Sequence, residues 1–154
     1  MRSKEKKVLL IDADMRKPSM HTMFRTENTL GLTSVLSKQS KLESCVRETT
    51  VEKPRLFLPA GAVPPNPAEL LGSIRMEELI EQAYKSYDLV IIDTPPVLAV
   101  TDAQVLANKC DGIVLVVRSN HTEKKEDALK AKRIASKRKR KITWCCPKCK
   151  ATRR

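Results

Sequence analysis

Asp12 and Asp14 close the run Lys7-Val-Leu-Leu-Ile-Asp-Ala-Asp14, two acids one residue apart at the end of an apolar stretch. Such a stretch predicts a buried strand of a parallel sheet, with its carboxylates delivered to the sheet's edge. There they can hold a Mg²⁺ ion and meet a phosphate, because open α/β sheets bind ligands beyond the carboxyl ends of their strands. Leu89-Val-Ile-Ile-Asp93 repeats the design and is followed by Thr94-Pro-Pro96. Two strands that each deliver an Asp suggest nucleotide chemistry. The four glycines form no Gly-rich phosphate loop.

These carboxylates need a scaffold, and the pattern around them supplies one. Strands are predicted at Val8–Ile11, Leu56–Leu58, Leu89–Ile92 and Gly112–Val117, and short helices at Leu32–Ser37 and Leu42–Glu48. Asn66-Pro67 opens a helix, since Asn caps and Pro suits the first helical position. Apolar residues at helical spacing carry that segment on to Tyr84. A further helix runs from Thr101 or Asp102 to Asn108, and another begins over Thr122–Lys132. Strand and helix alternate, which predicts an α/β fold with a doubly wound, mainly parallel sheet.

Composition bounds the rest. A chain of 154 residues with 41% apolar content is long enough for one domain with a core. No apolar stretch is long enough to span a bilayer, and Arg2, Lys4, Lys6 and Lys7 lead straight into a strand rather than a signal peptide. The chain reads as cytosolic, with reduced cysteines. Its net charge of +12 is concentrated at one end. Residues 133–154 hold ten of the 30 Lys and Arg and none of the 18 acids, so residues 1–132 are near neutral. Two divisions follow: a domain over 1–132 and a basic tail over 133–154 that also holds Cys145, Cys146 and Cys149.

The motifs together resemble a family. Ile11-Asp-Ala-Asp-Met-Arg-Lys-Pro18 with His21, then Pro64-Pro-Asn-Pro-Ala-Glu-Leu-Leu71, then Ile92-Asp-Thr-Pro-Pro-Val97 with Thr101-Asp-Ala-Gln104, are similar to the bacterial tyrosine kinases of capsular and exopolysaccharide synthesis. These are P-loop proteins of the MinD/ParA-like class. Arg16-Lys17-Pro18 and the Pro64–Leu71 segment separate this branch from partition-type ATPases, the nearest alternative.

The resemblance implies an ATP-dependent autokinase with MgATP as cofactor. Asp12, Asp14 and Asp93 would be its catalytic and Mg²⁺-binding acids, with Asp12 or Asp14 activating the tyrosine hydroxyl. Arg16, Lys17 and Thr94 would contact the nucleotide. It also implies a membrane-embedded chain-length regulator as activating partner, a homo-oligomer, and a cytoplasmic position at the inner face of the membrane.

The same resemblance marks departures. The family's Gly-rich loop should precede the first strand, and no glycine precedes Val8. The tyrosines are Tyr84 and Tyr87, with no C-terminal cluster. The chain is therefore expected to be an inactive fragment that binds Mg²⁺ weakly, aggregation-prone through loss of the last strand. In the family a strand close to Leu-Leu-Gly-Val-Val-Leu-Asn follows the helix beginning near Thr122. Lys141–Lys148 can be encoded so that dropping one base reads Lys-Leu-Leu-Gly-Val-Val-Leu, and the single Trp codon forces the glycine. Residues 133–154 are thus expected to be out of frame and disordered. Two competing readings use that tail. Cys146-x-x-Cys149 is half a zinc site without a second Cys/His pair. Lys137–Lys141 is a basic run suited to phosphate backbones, but one Trp leaves little to stack on bases, so no specific nucleic acid is expected.

Overall fold

The computed structural model describes residues 6–50, 55–116, 129–131, 133 and 141–145. The chain divides into two compact units, residues 1–95 and 96–154.

In the first unit, β1 (Val8–Asp12) is the central strand, buried along nearly its whole length. It pairs in parallel with β3 (Leu56–Leu58) on one side and β4 (Leu89–Asp93) on the other. β2 (Arg47–Glu48) runs antiparallel to β3, giving the order β2-β3-β1-β4. Successive side chains of β1 point to opposite faces and nearly all are buried, so both faces are covered, which is why Val8–Ile11 is a continuous apolar run rather than an alternating one. Lys7 and Asp88 pin the start of the β1–β4 pair: the Lys7 N–H donates to Asp88 Oδ2 at 2.8 Å, and the Asp88 N–H to the Lys7 carbonyl at 2.9 Å.

Helices α1 (Met20–Met23), α2 (Leu32–Leu36), α3 (Leu42–Cys45), α4 (Pro67–Gly72) and α5 (Ile74–Ser86) complete this unit. α5 buries Met76, Leu79, Ile80 and Ala83, one face at helical spacing, and packs on α2 and β4. The core of the unit is built from Leu9, Ile11, Leu32, Leu36, Phe57, Leu58, Leu71 and Met76, all fully or almost fully buried. Each such side chain contributes roughly 1.5–3 kcal/mol of transfer free energy.

Four local expectations change. The predicted helix Leu42–Glu48 stops at Cys45, and Arg47–Glu48 pairs with β3 instead. The helix through Asn66–Tyr84 breaks at Ser73, whose ψ of 159° is extended and whose hydroxyl donates to the Leu70 carbonyl at 2.6 Å. Asn66 occupies the N-cap of α4, but its amide donates to the Glu69 carboxylate instead of capping. α1 has no counterpart in the sequence reading.

The second unit contains α6 (Asp102–Ala107) and a two-stranded parallel sheet, β5 (Gly112–Val116) with β6 (Lys141–Cys145). Leu129–Ala131 and Arg133 are helical; the rest of the predicted Thr122–Lys132 helix lies outside the described residues. β6 lies within the tail: Gly112 pairs with Lys141 and Val116 with Cys145. Ile142, Thr143 and Trp144 are β-branched or aromatic and suit a strand in this frame. Residues 134–140 and 146–154, with the basic run through Arg140 and the Cys146/Cys149 pair, lie outside the described residues.

Candidate active site

β1 and β4 run in the same direction and in register, so Val8 pairs with Leu89 and Asp12 with Asp93. The two strand-end carboxylates therefore emerge side by side at the carboxyl edge of the sheet. The Ala13 N–H continues the ladder by donating to the Asp93 carbonyl at 2.9 Å. Their spacing follows from strand pairing, about 4.8 Å between neighbours.

Asp12 is buried, 1% exposed. Its Oδ1 accepts the Asp14 N–H at 3.1 Å. Its Oδ2 is buried with no hydrogen-bond partner. Asp14, half-buried, takes the N–H groups of Arg16 at 3.2 Å and Lys17 at 3.0 Å on Oδ1, so the turn after β1 aims its carboxylate. The Arg16 and Lys17 side chains are exposed at that turn. Asp93 accepts a hydrogen bond from the Thr94 N–H.

The electrostatics follow from this crowding. Burial raises the Asp12 carboxyl above the ordinary carboxylate range, and the charges of Asp93 and Asp14 add to it; the Asp14 and Met20 N–H groups oppose the rise. Asp93 is exposed at the end of β4, and the partial loss of water around it raises its carboxyl, followed by the Asp14 charge, against the Thr94 N–H. Packed acids with raised pKa values and an unspent oxygen favour a bound cation. Among the described residues, no three His, Cys, Asp or Glu side chains converge to hold a metal. A Mg²⁺ ion on Asp12 and Asp93 would complete its shell from water and phosphate oxygens, the usual arrangement for Mg²⁺ beside a nucleotide.

The structure thus gathers Asp12, Asp14, Arg16, Lys17, Asp93 and Thr94 at one edge. Asp102 is fully buried at the start of α6 in the second unit. One feature escaped the sequence reading. The loop after β3 is locked onto α2: Asn28 accepts the Gly61 N–H at 2.8 Å and donates to the Gly61 carbonyl at 3.0 Å. The Leu32 and Thr33 N–H groups meanwhile donate to Pro59 and Ala60 carbonyls. Such pairings join distant residues, and only Asn28 and the two glycines hinted at them.

Residues 1–129 match the family model described as an AAA domain. The tyrosine-protein kinase YwqD of Bacillus subtilis is 56% identical over 137 residues, covering 89% of this chain and 57% of YwqD. The crystal structure of the VpsO kinase domain superposes with a TM-score of 0.83 at 33% identity, covering 90% of this chain and 68% of that one. The cell division ATPase MinD of Pyrococcus furiosus reaches a TM-score of 0.69 at 21% identity, a likeness of fold alone. The chain spans 57% of the length of YwqD. The kinase reading holds over the partition-ATPase and basic-module alternatives. On the motif order, the strand-end acids and these similarities, the chain belongs to the AAA-domain family and, within it, to the bacterial tyrosine kinases.

Proposed function

We propose that the chain carries the carboxylate side of the nucleotide site of an ATP-dependent protein-tyrosine autokinase regulating capsular or exopolysaccharide synthesis, with MgATP as cofactor. One observation carries this reading: Asp12 and Asp93 are register partners at the carboxyl edge of parallel strands, and Asp12 keeps a buried oxygen unspent.

Phosphoryl transfer is mostly positioning and charge neutralisation. Mg²⁺, when bound, neutralises charge on the phosphates. Asp12 and Asp93 would hold it directly or through water; loss of water, followed by nearby negative charge, raises both carboxyls, and a cation there would offset that charge. Asp14, fixed by the Arg16 and Lys17 N–H groups, takes the proton of a tyrosine hydroxyl whose ordinary pKa is about 10. The Arg16 and Lys17 side chains, with Thr94 beyond Asp93, suit phosphate oxygens.

The activating partner is a membrane-embedded chain-length regulator, and the intact protein is a homo-oligomer at the inner membrane face. No helix among the described residues is long and apolar enough to cross a membrane. For residues 1–154 alone, the reading is weak nucleotide binding without autophosphorylation, with residues 133–154 read out of frame; the gene's nucleotide sequence tests the latter.

The test is a thermal melt of the chain with Mg²⁺ and with MgATP at millimolar concentration. Mg²⁺-dependent stabilisation that disappears in Asp93→Ala is the expected result. Melting that ignores both Mg²⁺ and MgATP in the unsubstituted chain would sink the reading.

A further inference from the structure

Parallel strands are joined by long crossovers, so no tight turn sets their offset. The buried pattern sets it instead, because a slip of one residue turns every side chain to the other face. A slip of two residues carries no such penalty between β1 and β4. Val8–Ile11 and Leu89–Ile92 are apolar at every position, so apolar residues would still lie beside apolar residues. Leu89 and Ile91 are 49% and 44% exposed, so their face of β4 loses little packing in such a slip.

The ends of the ladder therefore decide the offset, and they pull in opposite directions. At the carboxyl end Asp12 is the partner of Asp93, and like charges at facing positions disfavour this register. A two-residue slip would separate them, setting Asp12 beside Ile91 or Asp93 beside Leu10. At the amino end, Lys7 and Asp88 close a ring. The Lys7 N–H donates to Asp88 Oδ2 at 2.8 Å, across 81 residues of sequence. The Asp88 N–H returns to the Lys7 carbonyl at 2.9 Å, which the Leu89 N–H shares at 3.3 Å. A two-residue slip moves Asp88 about 6.6 Å along the strand, and both halves of the ring are lost.

We propose that Asp88 is a positioning residue for the candidate site: by closing the ring with the Lys7 peptide, it holds β4 in the offset that sets Asp93 beside Asp12. It acts through the strand, from just before β4, at the end opposite Asp93. The metal-binding consequence rests on Asp12 and Asp93 serving Mg²⁺, as in the function proposed above; the register role does not.

The experiment is amide hydrogen exchange by NMR on the whole chain, paired with the Mg²⁺-dependent melt. The Ala13 N–H, bonded to the Asp93 carbonyl at 2.9 Å, reports the far end of the ladder, and the Leu89 N–H the near end. Asp88→Ala should speed Ala13 exchange about fivefold, and so should Lys7→Pro, which removes the donor and keeps Asp88. The Leu32 amide, bonded to the Pro59 carbonyl elsewhere in the unit, should keep its rate. Asp88→Asn keeps an acceptor for the Lys7 N–H and should exchange as the unsubstituted chain does. The Mg²⁺ concentration giving half the stabilisation should rise about fivefold in the first two variants and stay unchanged in Asp88→Asn. Faster exchange at Leu89 with Ala13 unchanged would mean fraying of one end only and would overturn the proposal. Equal acceleration of Ala13 and Leu32, or an Asp88→Asn variant that behaves like Asp88→Ala, would overturn it too. If Ala13 responds as expected while the unsubstituted chain melts alike with and without Mg²⁺, the metal reading fails and the register role stands.

Discussion

Asp12 and Asp93 are cross-strand partners at the last paired position of β1 and β4; burial raises the Asp12 carboxyl and partial loss of water the exposed Asp93 carboxyl, with nearby negative charge adding to each. Two acids held this way work against the fold until a cation or a proton arrives. A carboxyl whose pKa is raised on folding binds its proton more tightly in the folded chain than in the unfolded one. The stability it supplies is therefore present at low pH, is lost as pH rises from the ordinary carboxylate value through the raised one, and is absent above.

In Mg²⁺-free buffer, Asp12→Asn should consequently raise Tm at neutral pH by roughly 2–4 °C, the shift expected of about 1 kcal/mol in a chain of this size. Asn keeps an acceptor for the Asp14 N–H that Oδ1 now takes. The gain should shrink as pH falls towards about 4, where the native acid is itself protonated. Differential scanning calorimetry of the two proteins across pH checks this. A difference independent of pH would mean that Asp12 charge is not what costs stability.

The two short helices α1 and α2 end alike, and both carry a residue that fits poorly. Arg25 after α1 has φ 53° and Lys38 after α2 has φ 60°. In each case the next residue's N–H reaches back to close the turn, Thr26 to His21 and Gln39 to Ser34, both at 2.9 Å. Glycine is the residue that adopts this conformation without a Cβ penalty. Arg25→Gly and Lys38→Gly should each stabilise by about 0.5 kcal/mol, since the relief of strain is partly offset by a freer unfolded chain. Urea denaturation at matched m-values measures it; a loss of stability would show that the Arg25 or Lys38 side chain contributes more than its backbone costs.

That mismatch explains what the sequence hides. β1, β3, β4 and β5 are legible because each is an apolar run of strand length, and α5 because Met76, Leu79, Ile80 and Ala83 recur at helical spacing. α1 is not, since neither a capping hydrogen bond at Ser19 nor a glycine after Phe24 announces it. β2 exists only because Phe57 and Leu56 offer it an edge. Asp12, Asp14 and Asp93 are legible as strand-end acids, whereas their register is a tertiary fact. Residues 141–145 show the converse: a tail read as out of frame still has residues suited to pair with β5.

Phe57 should be the costliest truncation in the first unit. It is fully buried on β3, beside Leu10 in the register, and its ring meets Phe24 just after α1. Phe57→Ala removes that packing and should cost about 3–5 kcal/mol. A loss below about 1 kcal/mol would mean the site collapses to fill the space.

Gly31 and Asn28 should act as one unit. A Cβ at Gly31 would lie 2.2 Å from the Pro59 carbonyl oxygen and 2.5 Å from the Gly61 nitrogen, both backbone atoms. Neither can step aside cheaply, because the Leu32 N–H holds the Pro59 carbonyl at 2.8 Å and Asn28 holds Gly61 from both sides. The φ of −172° at Gly31 is ordinary extended backbone, so the requirement for glycine is space alone. Gly31→Ala should destabilise by about 1–3 kcal/mol, as overpacking does. Asn28→Ala should cost about 1–3 kcal/mol by leaving the half-buried Gly61 pairing unmet. With Asn28 already removed, the Pro59–Gly61 segment is free to shift away from a new Cβ, so the double variant should cost less than the two singles together. A double-mutant cycle by urea denaturation decides it, and additivity within about 0.5 kcal/mol would mean the two contacts are independent.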